Sequence, residues 1–395
     1  MTNKSETDIK YMQMAIDLAL NGKLTTLPNP CVGCVLVKDD RIIGKGYHRK
    51  TGTGHAEVNA IANAKELGND ISGATAYVTL EPCSHYGLTP PCAVALVNNG
   101  VKRVVCAMID PNPLVSGKGI KILEDAGIEV KVGVLKEKAE TINIPFLYSI
   151  KNNLPYVTLK FGISADGRIA LSNGASKWIT SEKSRSDVQF LRAQHQAIMT
   201  TAATVLADDP SMNVRIDEIS QELIEGIDHN LIHVPLKVII DKHEQLTMKE
   251  KIFSTSGKVL LVRPSISGEL KEEEISDKLT ILRIPAIADQ KNSQKNSQEN
   301  SCRRDFNIME LFTYLNSKRI RNVMVESGPN FAGFLFKHGL INKLVLYVAP
   351  KLMGADAIPF CSLTGFDNMN DIPHMKLENC SIIGDDIKLE YVLKE

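Results

Sequence analysis

Nothing in this chain of 395 residues is apolar for long enough to cross a bilayer. Its longest apolar runs, such as 331–336, fall far short of the roughly 20 residues that a membrane helix needs. Residues 1–10 are polar and charged and lack the apolar centre of a secretion signal. Charge of either sign is not in excess, since Lys+Arg 46 balance Asp+Glu 46. That argues against a nucleic-acid binder, which needs a basic face to neutralise a phosphate backbone. A small phosphorylated ligand remains compatible, because two or three well-placed cations suffice. Eight cysteines in a chain this long suggest no disulfide framework. A cytoplasmic setting, with thiols free to bind metal, is the expectation. No Gly-x-Gly-x-x-Gly turn follows a strand anywhere, so a Rossmann dinucleotide domain is not expected.

What is present reads as an ordinary globular chain, with 43% hydrophobic and 23% charged residues. The length implies two domains. In the first, Met12, Ala15, Ile16, Ala19 and Leu20 recur at helical spacing, and 32–37 and 41–47 read as paired strands across a short charged turn. A helix over 56–67, a strand over 74–80, a helix over 91–99 and a strand over 101–108 follow. A helix over 119–126, a strand over 128–134 and a helix near 137–151 complete the unit. Such alternation implies a sheet with helices on both faces. Asn152, Asn153 and Pro155 break the pattern and mark the boundary. This gives domains 1–150 and 154–395. In the second, 156–161, 234–240, 258–262, 279–284, 322–326 and 343–348 read as strands, and 187–195 and 330–337 as helices. Residues 289–301 hold no apolar side chain and repeat Lys-Asn-Ser-Gln, so a disordered surface loop is expected there.

One group of residues carries metal chemistry. His55-Ala56-Glu57 opens a helix, Pro82-Cys83 follows a strand, and Cys92 sits in the first turn of the next helix. One His and two Cys suit a catalytic zinc, which takes three protein ligands and keeps an open position. A helix N-terminus favours the thiolate form of Cys92. Glu57, two residues from His55, does not share its helix face and is placed to reach a water beside the metal rather than the metal itself. Zinc-dependent nucleobase deaminases show His-x-Glu followed by Pro-Cys-x-x-Cys, with the Glu as proton shuttle. Here residues 84–91 separate the two cysteines, which points to a different branch from the nucleic-acid deaminases. Cys31 and Cys34 have C-x-x-C spacing but no second pair, and Cys106, Cys361 and Cys380 read as small buried hydrophobes. In the second half, 326–333 joins a strand to a helix, and Gly328 and Gly333 would let backbone N–H groups approach a pyrophosphate. Taken alone, that segment is equally a plain strand-to-helix turn. Arg192 and Arg215 suit oxyanion clamps or surface charge, and Trp178 suits a site or a core.

Taken together, the motifs resemble a known family. His55-Ala56-Glu57-Val58, Thr79-Leu80-Glu81-Pro82-Cys83-Ser84-His85, Gly87, Thr89-Pro90-Pro91-Cys92, Asn29-Pro30, Val32-Gly33 and Asp110-Pro111-Asn112-Pro113 are similar to the deaminase half of the bifunctional riboflavin-pathway deaminase–reductases. Lys160-Phe161-Gly162, Asp166-Gly167-Arg168, Ser176-Lys177-Trp178-Ile179-Thr180, Leu191-Arg192-Ala193, 204–210, 238–241, 326–333 and 349–354 resemble the reductase half. The resemblance implies an α/β chain, with an N-terminal cytidine-deaminase-like α/β/α domain and a C-terminal dihydrofolate-reductase-like α/β domain. It implies one Zn2+ per chain on His55, Cys83 and Cys92, with Glu57 catalytic, and Asn29, His85, Asp110 and Asn112 on the substrate. It implies NADPH against Gly162, Trp178, Thr204, Asp208, Gly328, Pro329, Asn330, Phe331, Ala332, Gly333 and Phe334. Lys160, Ser176, Arg192, Met212, Arg215 and Glu326 would face a small phosphorylated pyrimidine, with no nucleic-acid or membrane partner. A homo-oligomer, dimer or tetramer, is expected. The chain departs from the family at Leu88, where a Lys or Arg is usual, and at Lys242, where some members carry a small hydroxyl side chain.

Overall fold

The computed structural model describes residues 4–84, 90–113, 115–265, 267–287 and 305–393. His85, Leu88 and the polar stretch 289–301 lie outside the described residues. The chain divides into two compact units, 1–153 with 224–233, and 154–223 with 234–395. The short segment 224–233 thus joins the first unit although it lies beyond the expected boundary.

The first unit runs α1 (Lys4–Ala19), β1 (Gly33–Lys38), β2 (Arg41–Tyr47), α2 (Ala56–Glu66), β3 (Thr75–Val78), α3 (Cys92–Asn98), β4 (Arg103–Cys106), α4 (Lys118–Asp125), β5 (Glu129–Val132), α5 (Lys136–Thr141) and α6 (Ile144–Asn152). Its sheet has the order β2-β1-β3-β4-β5, with β3, β4 and β5 parallel and β1 antiparallel to both neighbours. Side chains of a strand alternate between faces, and the core divides accordingly. Cys34, Leu36, Ala76 and Val78 pack with α2 and α3 through Ala56, Ala60, Ala64 and Leu96. Val35, Val37 and Tyr77 pack with α1 through Met12, Ala15 and Ile16. Small residues bring α1 and β1 unusually close: a Cβ on Gly33 would fall 1.9 Å from the Ala15 carbonyl oxygen. The single helix expected near 137–151 is two helices. Asn143 breaks it, because its buried amide bonds both backbone groups of Cys31, accepting from the N–H at 2.8 Å and donating to the carbonyl at 2.9 Å. Pro145 then restarts the helix at a position that needs no N–H donor.

The second unit runs β6 (Tyr156–Ser164), β7 (Arg168–Ala170), α7 (Glu182–Ala193), β8 (Ala197–Thr201), α8 (Ala202–Asp208), α9 (Gln221–Ile224, whose last residue falls in the first unit), β9 (Leu236–Ile240), α10 (Lys251–Ser254), β10 (Val259–Ser265), β11 (Lys271–Ser276), β12 (Leu279–Ile287), β13 (Asp305–Phe306), α11 (Ile308–Ser317), β14 (Asn322–Val325), α12 (Pro329–Lys337), β15 (Lys343–Ala349), β16 (Ile358–Pro359), β17 (Met375–Ile383) and β18 (Asp386–Leu393). Among the described residues the main sheet has the order β11-β12-β10-β9-β8-β14-β6-β15-β18-β17. From β12 to β15 every neighbouring pair is parallel, and β11 and the β17–β18 hairpin add antiparallel edges. Buried on both faces, the central strands are largely apolar, as parallel strands tend to be. One face packs on Leu311, Phe312 and Leu315 of α11 and Leu335 of α12. The other meets Ala202, Val205 and Ile252. Cys106 is buried as expected, but Cys361 is only half-buried and Cys380 is exposed, the latter because β17 is an edge strand with little packed over it.

Candidate active sites

In the first unit, three loop–helix junctions meet beside the sheet. His55 caps α2 with extended backbone, Cys83 lies just past β3, and Cys92 opens α3 behind Pro91. The Cys83 and Cys92 sulfurs lie 3.5 and 3.3 Å from His55 Nδ1, and all three ligand atoms fall within 4.8 Å of one another. Bonds of about 2.0–2.3 Å at tetrahedral angles put ligand atoms roughly 3.5 Å apart. The donor set and its spacing therefore fit a zinc ion with one position left open. The Cys92 N–H donates to Cys83 Sγ at 3.3 Å. The Cys92 thiol and His55 also bond that sulfur, and together they hold the Cys83 thiol below its usual range. The same thiol–thiol bond, together with burial, pushes the Cys92 thiol up. A bound cation strips both protons.

Glu57 lies in the first turn of α2 and is only 3% exposed. Burial, reinforced by the neighbouring Cys83 sulfur and partly offset by His55, pushes its carboxyl up to about 7. A carboxyl so poised both takes and returns a proton near neutrality. Two further residues, to which sequence reasoning assigned no role, complete the setting. His48 at the end of β2 is buried, bonded to the Gly54 carbonyl at 3.2 Å and to Asn29 Nδ2 at 3.3 Å, with its ring edge-on to His55. Glu81 is buried and accepts from the backbone N–H groups of Asp110, Gly117, Gly119 and Ile120 at 2.9–3.4 Å. It thus fastens the loop carrying Asp110 and Asn112 to the strand end that leads into Cys83. Asp110 in turn accepts from the Asn112 N–H at 2.9 Å. Cys31 and Cys34 are buried core residues, and burial pushes both thiols up.

In the second unit the residues singled out by sequence gather at the C-terminal ends of the parallel strands β6, β8, β9 and β14, where ligands of such sheets bind. A cleft of about 730 Å³ is lined by Lys160, Gly162, Ser176, Trp178, Arg192, Thr204, Asp208, Met212, Arg215 and Glu326. At its floor Glu326 accepts from Lys160 Nζ at 3.0 Å and from Arg192 Nε at 2.7 Å. Burial alone would raise the Glu326 carboxyl, but the two cations outweigh it and hold it well below the usual carboxylate range. Arg192 also donates to the Asn213 carbonyl at 3.2 Å, which fixes the fork. Arg215 pairs with Glu218 at the rim. Trp178 belongs to the cleft rather than the core: it is 65% exposed, with the Arg185 guanidinium 4.5 Å above its ring.

A second cavity, of about 510 Å³, adjoins the cleft across the same turns: Thr204 and Ser327 line the cleft, while Ala203 and Gly328 line the cavity. Gly328, Pro329, Asn330, Phe331 and Phe334 all face this cavity. Ala332 is packed in the core, and Gly333 lies against the neighbouring loop, where a Cβ would fall 2.0 Å from the Ser362 carbonyl oxygen. These two residues set how closely α12 seats rather than lining either cavity.

Comparison with known proteins gives a consistent picture. Residues 5–108 match the family of the cytidine and deoxycytidylate deaminase zinc-binding region, and residues 155–389 match the RibD C-terminal domain. The chain is 42% identical to the riboflavin biosynthesis protein RibD of Haemophilus influenzae, with 100% of both chains covered. It is 40% identical to that of Escherichia coli, over 98% of this chain and 99% of the other. Acinetobacter baumannii RibD superposes with a TM-score of 0.85 at 38% identity, covering 99% of this chain and 100% of that one. A Thermotoga maritima diaminohydroxyphosphoribosylaminopyrimidine deaminase/5-amino-6-(5-phosphoribosylamino)uracil reductase does so at 0.82 and 30%, with 99% and 100% covered.

Proposed function

The chain belongs to the RibD family of riboflavin biosynthesis proteins, and from that membership we propose that it catalyses two consecutive steps of the pathway. The first is hydrolytic deamination of 2,5-diamino-6-(5-phosphoribosylamino)pyrimidin-4-one. The second is NADPH-dependent reduction of the ribosyl side chain to ribityl, giving 5-amino-6-(5-phosphoribitylamino)uracil. The observation that carries the reading is the His55, Cys83 and Cys92 cluster with the buried carboxyl of Glu57 beside it. A structural zinc usually takes four protein ligands; three ligands and an adjacent proton carrier describe a hydrolytic site.

His55, Cys83 and Cys92 hold the zinc, which when bound supplies a Lewis acid that makes water nucleophilic near neutral pH. Glu57 takes a proton from the attacking water as its oxygen bonds the pyrimidine C2. It then delivers that proton to the exocyclic nitrogen, which leaves as ammonia while the ring keeps the oxygen. Asn29, Asp110 and Asn112 orient the base and its sugar, and Glu81 keeps the last two in register. NADPH, when bound, supplies the hydride. In the cleft Lys160 and Arg192 carry the positive charge for an anionic, hydroxyl-rich substrate, and Glu326 holds both side chains in place. With no side chain at Gly328 and no N–H on Pro329, the backbone N–H groups of Gly328, Asn330 and Phe331 are the donors offered to the pyrophosphate.

No helix among the described residues is long and apolar enough to cross a membrane, and we place the enzyme in the cytoplasm. It works as a homo-oligomer, a dimer or tetramer, a reading supported by the edge strand β17 with Leu377 and Ile382 exposed. Incubating the purified protein with the diaminopyrimidinone phosphate, while following ammonia release and NADPH absorbance together, tests both steps. Ammonia without NADPH oxidation would leave only the first half of the proposal standing, and the reverse order would overturn it.

A further inference from the structure

Helix α7 carries two arginines towards the reductase cleft, and the reaction steps employ one of them. Arg185 and Arg192 lie about two turns apart and so share a face of the helix. Between them on that face, Gln189 accepts from the Arg215 N–H at 3.1 Å. Arg192 meets Glu326 on the floor. Arg185 is not among the described residues that line the cleft, whereas Trp178 is, so its guanidinium covers the indole from outside. It stands 4.5 Å from the ring centroid, within the reach of a cation–π contact, and donates to the Thr180 carbonyl at 2.8 Å.

The main chain on either side of Trp178 is tied down by other residues. The Trp178 carbonyl accepts from Lys351 Nζ at 2.7 Å. Asp166 fixes the turn that carries Lys351, accepting from the Met353 and Gly354 N–H groups at 3.1 and 2.8 Å. Asp386 accepts from the Ser181 N–H at 2.7 Å and from the Ser184 hydroxyl at 2.6 Å. These bonds set the path of the backbone and leave the indole free to turn about its side-chain bonds. Packing restrains the ring little, since Trp178 is 65% exposed. The guanidinium of Arg185 is the contact that fixes its plane.

We propose that Arg185 is a positioning residue of the reductase. It occupies the outer face of the Trp178 indole and holds the inner face towards the cleft, where that face stacks the dihydronicotinamide of NADPH. Lys160 and Arg192 suit the anionic substrate; an uncharged, flat dihydronicotinamide suits an aromatic wall. The inference rests on the reductase reading above and adds to it the residue that orders this wall before the cofactor arrives. A wall ordered in advance lowers the entropy lost on binding, so the effect belongs to cofactor affinity rather than to hydride transfer.

The test uses the full, zinc-loaded chain and its single tryptophan. Emission excited where only indole absorbs reports Trp178 alone. In Arg185→Leu the ring loses its cover, and acrylamide should quench the emission more steeply than in wild type. NADPH, titrated by calorimetry without substrate, should bind about three- to fivefold more weakly, the scale of a cation–π contact at an exposed ring. KM for NADPH should rise by a similar factor while kcat holds. Arg185→Lys keeps the charge without the flat guanidinium and should fall between the two. In a Trp178→Leu background Arg185→Leu should add nothing, because the ring it acts on is gone. Unchanged NADPH affinity in Arg185→Leu, a loss that persists in the Trp178→Leu background, or a fall in kcat with KM preserved overturns the inference. Ammonia release by the same samples reports an intact chain; should Arg185→Leu lack it, Arg185→Lys decides by the same criteria. The reductase reading fails separately: a wild-type protein that binds NADPH but never oxidises it with substrate loses the reaction, while quenching and titration still decide the role of Arg185.

Discussion

Replacing Glu326 by glutamine tests whether the floor of the reductase cleft is an electrostatic device or only a packed surface. The carboxylate is 12% exposed, Lys160 14% and Arg192 11%, so two cations and one anion share a poorly solvated space. Removing one member of a buried ion pair costs about 3–5 kcal/mol, because the partner is left uncompensated. The cleft admits water on one side, which screens the stranded charges and lowers the expectation to about 2–3 kcal/mol. A domain of this size loses roughly 2–4 °C of Tm per kcal/mol, so Glu326→Gln should melt about 5–10 °C lower at pH 7. The pH dependence has a fixed sign. The folded carboxyl is depressed below its unfolded value, so its contribution is complete above the unfolded pKa of about 4.3 and is lost as pH falls below it. The gap between wild type and variant should narrow by up to about 1.4 kcal/mol for each pH unit below that value. Inorganic phosphate, which both cations can bind, should restore part of the variant's Tm. Calorimetric melts from pH 3 to 8, with and without phosphate, measure all three effects. Equal Tm values at pH 7, or a gap that stays constant down to pH 3, would refute the reasoning.

The first unit offers three further tests. Glu57→Gln should retain zinc by elemental analysis and lose ammonia release by about 10²–10⁴-fold, with NADPH oxidation preserved on the deaminated intermediate; loss of the metal would contradict its place outside the ligand set. Gly33→Ala should destabilise the unit by about 3 kcal/mol in denaturant melts, since its Cβ would sit 1.9 Å from the Ala15 oxygen and α1 must move. Asp8, buried and bonded by Arg103, Lys131 and Tyr77, is held at about 2 because those partners outweigh the cost of burial. Its ionisation should stabilise the unit by about 2 kcal/mol above pH 4, and that contribution should vanish as pH falls towards 2, which a comparison with Asp8→Asn over that window would show.

Much of this architecture was legible in the sequence, for identifiable reasons. His55, Glu57, Cys83 and Cys92 were readable because metal chemistry restricts residue types and the flanking elements fix their places. Most of the central strands were readable as largely apolar runs, but β8, in the middle of the sheet, was missed, because its three apolar residues are followed at once by Thr200 and Thr201. The hairpin of β17 and β18 gave no such signal, since its outer strand is largely exposed and reads as polar loop. The break at Asn143 was missed because its partner, the Cys31 backbone, is distant in sequence. Glu81 and His48 were passed over for a related cause: a buried polar residue serving backbone groups leaves no periodicity behind. The association of 224–233 with the first unit is likewise a tertiary fact that local pattern does not encode.

The Glu81 carboxylate has a consequence for how the deaminase spends its binding energy. Two N–H groups from the loop that carries Asp110 and Asn112, and two from the first turn of α4 behind it, are fixed to a side chain only two residues before Cys83. The conformational entropy of that loop is therefore surrendered when the chain folds, not when the substrate arrives. The distance between the His55, Cys83 and Cys92 cluster and the polar groups proposed to meet the sugar becomes a property of the folded state. A substrate that docks on the loop is delivered at a set offset from the reacting water, which is the condition under which proximity contributes most to rate.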